Sequence, residues 1–439
     1  MDNVTHTMIG LIAGEMVFDH SRRIGREGGA PPGLPVRVRR AALVAVAIAG
    51  SNLPDVDLVW SFRGGSADNL TYMLGHRGYT HTLLGCAVLA LLLYGCAEIW
   101  LRIRRFEASA LDRALLLGTA IVTTGLHLAM DYLNSYGVHP FWPADNRWRY
   151  GDSVFIVEPL YWAAAAPLFW RLESRLSRAL YLSAIVVVLA VGAMTQLLSG
   201  ASCAVVAIGT AVLIIIGARM SGAAASRLSL GLAMSVTIAF VVAGHLAARQ
   251  AEALTAGLPG AARSLDHVLT PMPVNPLCWD LWLLETDGNR YVARRAVLSI
   301  LPAAEDAHAC PVSLGPHTAM LAPVPERDSA GVRWLGEYAI ALPQFLRYAT
   351  ANCDTDAFMQ FARAPFARPG PEALLGDLRF DHGRERGSFE IRIDDPARSA
   401  AAGSADDYPP PPEGRCSRAA PWIAPRADLI DRTSPRGAP

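Results

Sequence analysis

"GHRGYTHTLLGCAVLALLLYGCAEIWL" occupies residues 75–101. From Thr82 onward it is almost wholly apolar, and about 20 such residues cross a bilayer as a helix. The residues just before that run include His76, Arg77 and His81. Ionisable groups at the mouth of a membrane helix are costly to bury and usually functional. The fold and the chemistry both depend on which other segments reach that mouth.

The chain has 439 residues, 52% of them hydrophobic, with 39 basic and 39 acidic side chains. Every basic residue is Arg. The balance excludes a general nucleic-acid binder, which carries a basic face. Apolar runs alternate with short charged loops up to about residue 250, and the remainder is polar and Pro-rich. The N-terminal stretch "MDNVTHTMIGLIAGEMVFD" lacks a basic leader and predicts a retained first membrane or re-entrant helix.

Apolar length predicts spans at 4–18, 41–60, 82–101, 114–133, 154–170, 179–198, 201–217 and 228–248. The expected fold is mainly α: a polytopic bundle of about eight spans with a small C-terminal α+β domain. Arginines crowd alternate loops, for example Arg22, Arg23, Arg37, Arg39 and Arg40 after the first span and Arg102, Arg104 and Arg105 after the third. The positive-inside rule then places the N-terminus and the C-terminal half outside, for a multi-pass protein of the bacterial inner membrane.

That topology delivers the expensive residues to one outer level. His6 opens span one, Asp55 and Asp57 end span two, and His76 and His81 precede span three. His127 and Asp131 close span four, and Glu158 opens span five. In "HLAMD" the spacing of four puts His127 and Asp131 on one helix face. Imidazoles with carboxylates form the usual donor set for a hydrolytic zinc or manganese. The metal candidates are therefore His6, Asp55, Asp57, His76, His81, His127 and Asp131, for one or two ions, with zinc first and manganese second. Arg77 suits an anionic group, or else a salt bridge to Asp55, Asp57 or Asp131. Glu158 or Asp57 would accept the proton. His139 is expected at the entrance, and His245 is a spare candidate. Trp148, Tyr161 and Trp162 read as an interfacial aromatic belt.

Five ordered stretches, "MDNVTHTMIGL", "LPDVDLVW", "HRGYTHTLLG", "HLAMDYLNSYGVHPFWP" and "RWRYGDSVFIVEPLYW", resemble the bacterial inner-membrane metal-dependent hydrolases. That family is also described as LexA-binding, membrane-associated hydrolases, and it looks distantly related to zinc-dependent phospholipase C. The resemblance covers about residues 1–250 and, more loosely, "TPMPVNPLCWDLWLLETDGNRYV". It implies the same seven metal positions and an acid at Glu158.

Residues 265–395 read as the α+β domain, with two strands around an Asp-Gly turn in 279–300 and a helix in "FLRYATANCDTDAFMQFAR". Residues 396–439 read as a disordered tail. Cys278, Cys310, Cys353 and Cys416 lack CxxC spacing, and outside the cell they allow three disulfide connectivities. The expected function is a metal-dependent hydrolase at the outer membrane face, acting on membrane lipids or another membrane-associated phosphoester. The alternative is a non-catalytic metal transporter or sensor. The sequence names no protein partner for the C-terminal domain.

Overall fold

The structure, a computed structural model, describes residues 1–27, 33–61, 69–256, 263–312, 321–324, 327–370, 373–380, 389–393 and 420–430. The helical half begins with α1 (Asn3–Glu27) and α2 (Val36–Gly50), packed as a close pair. Gly10 and Gly14 permit that approach, since a Cβ on either would stand 2.8 Å from α2 backbone atoms. Pro54 follows the end of α2, and the chain tightens into a 3-10 turn over Leu53–Asp57, then α3 (Leu58–Ser61) and α4 (Asn69–Gly75). α5 (Leu83–Ile103) and α6 (Ala110–Tyr132) form an antiparallel hairpin. The start of α6 is fixed by a reciprocal cap between Ser109 and Asp112.

α7 (Pro159–Ala164) and a 3-10 turn over Ala166–Arg171 follow, then α8 (Arg175–Met194), α9 (Gly200–Ala218) and α10 (Gly222–Ala256). Five helices among the described residues, α5, α6, α8, α9 and α10, are long and apolar enough to cross a membrane. Three of the eight expected spans fall short of that standard for different reasons. α1 has the length but carries Glu15 and Asp19 inside it, tied to Arg40 and Arg171. α2 has only 15 residues, about 22 Å of helix. The 154–170 segment holds Pro159 and Pro167 and breaks into two short helices.

The 35 residues of α10 extend for about 52 Å, more than a hydrocarbon core needs. Its last turns carry Ala243, Ala247 and Ala251 beneath Leu269, Trp279 and Leu281 of the C-terminal sheet. That sheet is an antiparallel meander of β1 (Arg263–Met272), β2 (Asn275–Thr286), β3 (Arg290–Ser299) and β4 (Val332–Ala341). The β2–β3 turn uses Gly288 at φ +86°, as the Asp-Gly pair suggests. Strand alternation sorts β2: Trp279, Leu281 and Leu283 face α10, while Trp282 and Leu284 enter the other core.

The single helix expected after residue 345 is two, α11 (Leu342–Ala349) and α12 (Cys353–Met359), because Asn352 caps the second. A second sheet of β5 (Pro365–Arg368), β6 (Leu374–Asp377) and β7 (Glu390–Arg392) completes the α+β domain. Cys278 and Cys310 are disulfide-bonded, and so is Cys353, while Cys416 lies outside the described residues. The tail expected to be disordered is not uniform. Residues 420–430 are packed, with Trp422 3% exposed and its Nε1–H donating to the Leu74 carbonyl. The rest of 396–439 lies outside the described residues.

Candidate metal centre

The 3-10 turn after α2, the loop between α4 and α5, and the last turns of α6 converge on one buried spot. Asp55, His81, His127 and Asp131 each direct a donor atom into it, all within 4.8 Å of one another. His81 Nε2 stands 3.0 Å from His127 Nε2, 3.4 Å from Asp55 Oδ1 and 3.1 Å from Asp131 Oδ2. His127 Nε2 stands 3.5 Å from Asp55 Oδ1 and 3.3 Å from Asp131 Oδ2. The spacing in "HLAMD" thus does place both residues on one face, as read.

The far nitrogens of the two imidazoles settle their tautomers. His127 Nδ1–H donates to the Ser51 carbonyl at 2.7 Å. His81 Nδ1 faces Thr80 Oγ1 at 3.0 Å and Asp57 Oδ2 at 3.2 Å. Thr80 spends its own proton on Asp57, at 2.7 Å. Both neighbours of His81 Nδ1 are therefore acceptors, and that nitrogen carries the proton. In the neutral rings both Nε2 atoms are lone pairs, and they face each other beside two carboxylates.

His6 joins the cluster from α1. Its ring stacks on His127 at 3.9 Å, its Nε2 is 3.3 Å from Asp131 Oδ1, and neither of its ring nitrogens has a hydrogen-bond partner among the described residues. The Met1 amino group also contacts Asp131. A second donor group, Asp55, Asp57 and His76, shares Asp55 with the first. His76 Nδ1–H donates to Asp57 Oδ1 at 3.0 Å. Asn3 supports the shared carboxylate, donating to Asp55 Oδ2 at 2.8 Å.

Arg77 takes the salt-bridge option. Its guanidinium donates to Asp131 Oδ1 at 2.9 Å and to Asn134 Oδ1 at 2.8 Å, and it lies over the Tyr136 ring at 4.7 Å. Its backbone sits at φ +60°, a strained setting for a non-glycine residue, and its N–H donates to Asp57 Oδ2 at 3.0 Å. The turn that aims His76 and His81 is thus pinned by Asp57 from below.

Glu158 is in neither donor group. Its carboxylate caps α7 through the Leu160 N–H at 3.0 Å and accepts the Val274 N–H of the β1–β2 turn at 3.0 Å. Burial pushes this carboxyl up to about 7. His139 is fully buried, stacked on Trp422 at 3.8 Å, and does not line an entrance. His245 is exposed and belongs to neither group. The three aromatic residues expected in an interfacial belt are buried instead: Trp148 donates to the Gln360 carbonyl, Trp162 to Thr5, and the Tyr161 hydroxyl pairs with Thr237. Sequence reasoning missed Thr80, Asn134 and Tyr136. Asn134 lies one turn past Asp131, and that helical spacing was the available signal.

No curated protein and no solved structure matches the chain. A family model does, over residues 1–251, which includes every residue of both donor groups. That match carries membrane identity and no reaction. The chain belongs to the YdjM inner membrane protein family.

Proposed function

We propose that the protein is a membrane-bound metal-dependent hydrolase acting at the outer membrane face on a phosphoester or lipid-like substrate. The observation that carries this reading is the meeting of two imidazole lone pairs and two carboxylate oxygens in a buried spot. Without a cation or a shared proton between them, these groups repel in a medium that screens poorly. Zinc bonds to His and carboxylate of roughly 2.0–2.2 Å set neighbouring donors of a tetrahedron about 3.3 Å apart. The five separations here run from 3.0 to 3.5 Å. Asp55, His81, His127 and Asp131 would hold the ion, and His6, whose Nε2 faces Asp131 without a hydrogen bond, fits beside them. Asp55, Asp57 and His76 would hold a second ion, or leave His76 Nε2 to move a proton with Asp57 orienting the ring.

When bound, such a cation supplies Lewis acidity towards a phosphoryl or carbonyl oxygen. Manganese is the runner-up to zinc, given the carboxylate share. A cavity of about 410 Å³ adjoins the cluster and favours an organic substrate over a transported ion. The arginine asymmetry of the loops and the disulfides of the C-terminal half both support an extracytoplasmic site.

The test is metal content of detergent-purified protein beside an Asp55→Ala/His127→Ala variant, followed by a phosphoester screen of the loaded protein. Zinc or manganese near one or two ions per chain, lost in the variant while the helical signal stays, is the expected result. Metal-free protein after attempted reloading overturns the reading.

A further inference from the structure

The cavity beside the cluster is built by both halves of the chain. Asp55, His76 and Arg77 form its polar end. Val154, Phe155 and Leu197 of the helical half face Val268, Trp282 and Phe389 of the C-terminal domain along the rest. Leu197 lies in the short loop between α8 and α9, two helices long enough to cross the membrane, so that rim sits at a membrane boundary. Ile156, also on the lining, is 41% exposed. An apolar slot at this level would suit a ligand that arrives laterally from the bilayer.

The polar end holds donors that the fold does not use. Arg77 Nε and Asn134 Nδ2 are buried and have no hydrogen-bond partner among the described residues, and the buried Tyr136 hydroxyl has none there beyond the Tyr72 side chain. All three residues line the cavity. The Asn134 amide cannot turn to relieve this, because its Oδ1 already accepts from Arg77 Nη1 at 2.8 Å and from the Tyr136 N–H at 2.9 Å. Native folds seldom leave buried donors unmet, and such groups call for an explanation. Arg379 also lines the cavity, but its guanidinium is taken up by Asp377 and by the carbonyls of Ser135, Tyr136 and Phe361. The unspent donors therefore cluster at the end next to the metal ligands.

We propose that Arg77, Asn134 and Tyr136 form an anion subsite at the polar end of the cavity. The apolar remainder takes the chain of a single-chain, phosphate-bearing amphiphile. The inference rests on the hydrolase reading, because the carboxylates of the cluster would repel a phosphate without the cation. It assigns the C-terminal domain a definite part: β1 and β2 supply one wall of the substrate slot, through Val268, Thr270 and Trp282.

The experiment measures binding of three probes to the full-length protein in detergent, with metal content determined on each preparation. The probes are a monoacylglycerol phosphate, the neutral monoacylglycerol and inorganic phosphate. The amphiphile is expected to bind at least about tenfold tighter than either fragment, as for a site that reads both ends. Asn134→Ala and Tyr136→Phe should each weaken the amphiphile by about tenfold, the scale of a buried hydrogen bond, and leave the neutral chain unchanged. Val268→Trp, which fills the slot from the sheet side, should weaken both chain-bearing probes and spare phosphate. Tyr136→Phe removes one hydroxyl and guards against loss of folding in the alanine variant. Equal binding of amphiphile and phosphate removes the chain slot, and equal binding of amphiphile and neutral chain removes the anion subsite. Either result in metal-loaded protein overturns the proposal while the hydrolase reading stands. Protein that never loads metal sinks that reading, and indifference to all three probes there sinks both.

Discussion

Replacing Glu158 separates a structural tie from a catalytic acid. Its carboxylate is fully buried and holds two backbone N–H groups, those of Leu160 and Val274. Val274 sits at φ +65°, so the β1–β2 turn it belongs to is held in a strained form against the helical half. Burial pushes the carboxyl from 4.5 up to about 7, against the opposing pull of those two N–H groups. The sign follows from linkage. Between these values the unfolded chain has released a proton that the folded chain keeps, so stability falls as pH rises through the window. The full effect is about 3 kcal/mol, present below pH 4.5 and lost above 7. Glu158→Gln keeps an acceptor oxygen and removes the titration, so its stability should be nearly flat from pH 4.5 to 8. Glu158→Ala removes the α7 cap and strands the Val274 N–H, a loss of roughly 2–4 kcal/mol at pH 5. Tryptophan-fluorescence melts in detergent across that range are the assay, with metal content read in parallel. A Gln variant as pH-sensitive as the wild type refutes the reasoning. A Gln variant with unchanged melts and lost turnover returns Glu158 to the chemistry.

Asp57→Asn should weaken metal binding by roughly 10- to 100-fold in chelator competition, because Asp57 orients both His76 and His81 and sets the His81 proton. Gly85→Ala would set a Cβ 2.1 Å from the Tyr79 carbonyl, and the loop carrying His81 must move. Both melting temperature and metal content should drop there, and wild-type values for both would show that the loop is not clamped. Arg363 joins Asp152 of the helical half to Asp266 of β1, each at 2.8 Å. Arg363→Met should cost about 1–3 kcal/mol, because it removes the cation shared by two half-buried carboxylates while Arg426 still faces Asp266. Burial raises the Asp266 carboxyl, but Arg363 and Arg426 overcome this and hold it at about 2, below its ordinary 3.8. Its stabilisation is present above pH 3.8 and lost as pH falls through 2. Asp266→Asn should accordingly flatten the acid limb of the stability curve.

The donor cluster was legible in the sequence because membrane helices make ionisable residues rare. His81, His127, Asp55 and Asp131 stand out against apolar runs, and one helical spacing already pairs two of them. Glu158 stands out by the same test and does a different job, since a buried carboxylate can satisfy backbone N–H groups as well as a metal. The span count misled for a related reason. An apolar run records burial, and α7, with Tyr161, Trp162 and Ala164 all buried, is buried in protein. Trp148 reads as an interface residue for want of any signal that Gln360, 212 positions later, accepts its N–H. Long-range partners of this kind leave no local trace. The packing of residues 420–430 is another case, set by distant partners such as His139, on which Trp422 stacks, and Leu74, whose carbonyl it bonds.

The two halves are joined too firmly for the C-terminal domain to act as a swinging lid. α10 runs without a break from the membrane half to the underside of β2. Glu158 holds the β1–β2 turn, Arg363 bridges Asp152 and Asp266, and Arg379 reaches from Asp377 to the carbonyls of Ser135 and Tyr136. Thr270 on β1 and Ser135 meet at 3.2 Å on the cavity wall itself. Three of these four ties, those of Glu158, Arg363 and Arg379, involve groups whose separation would strand a buried charge or a backbone polar atom. A wall held this way keeps Asn134 and Tyr136 in register with the donor cluster while leaving the Asn134 amide nitrogen without a hydrogen-bond partner among the described residues. The cost of His76, Arg77 and His81 at the helix mouth is then offset by partners drawn from both halves, and the groups left over point to where a ligand belongs.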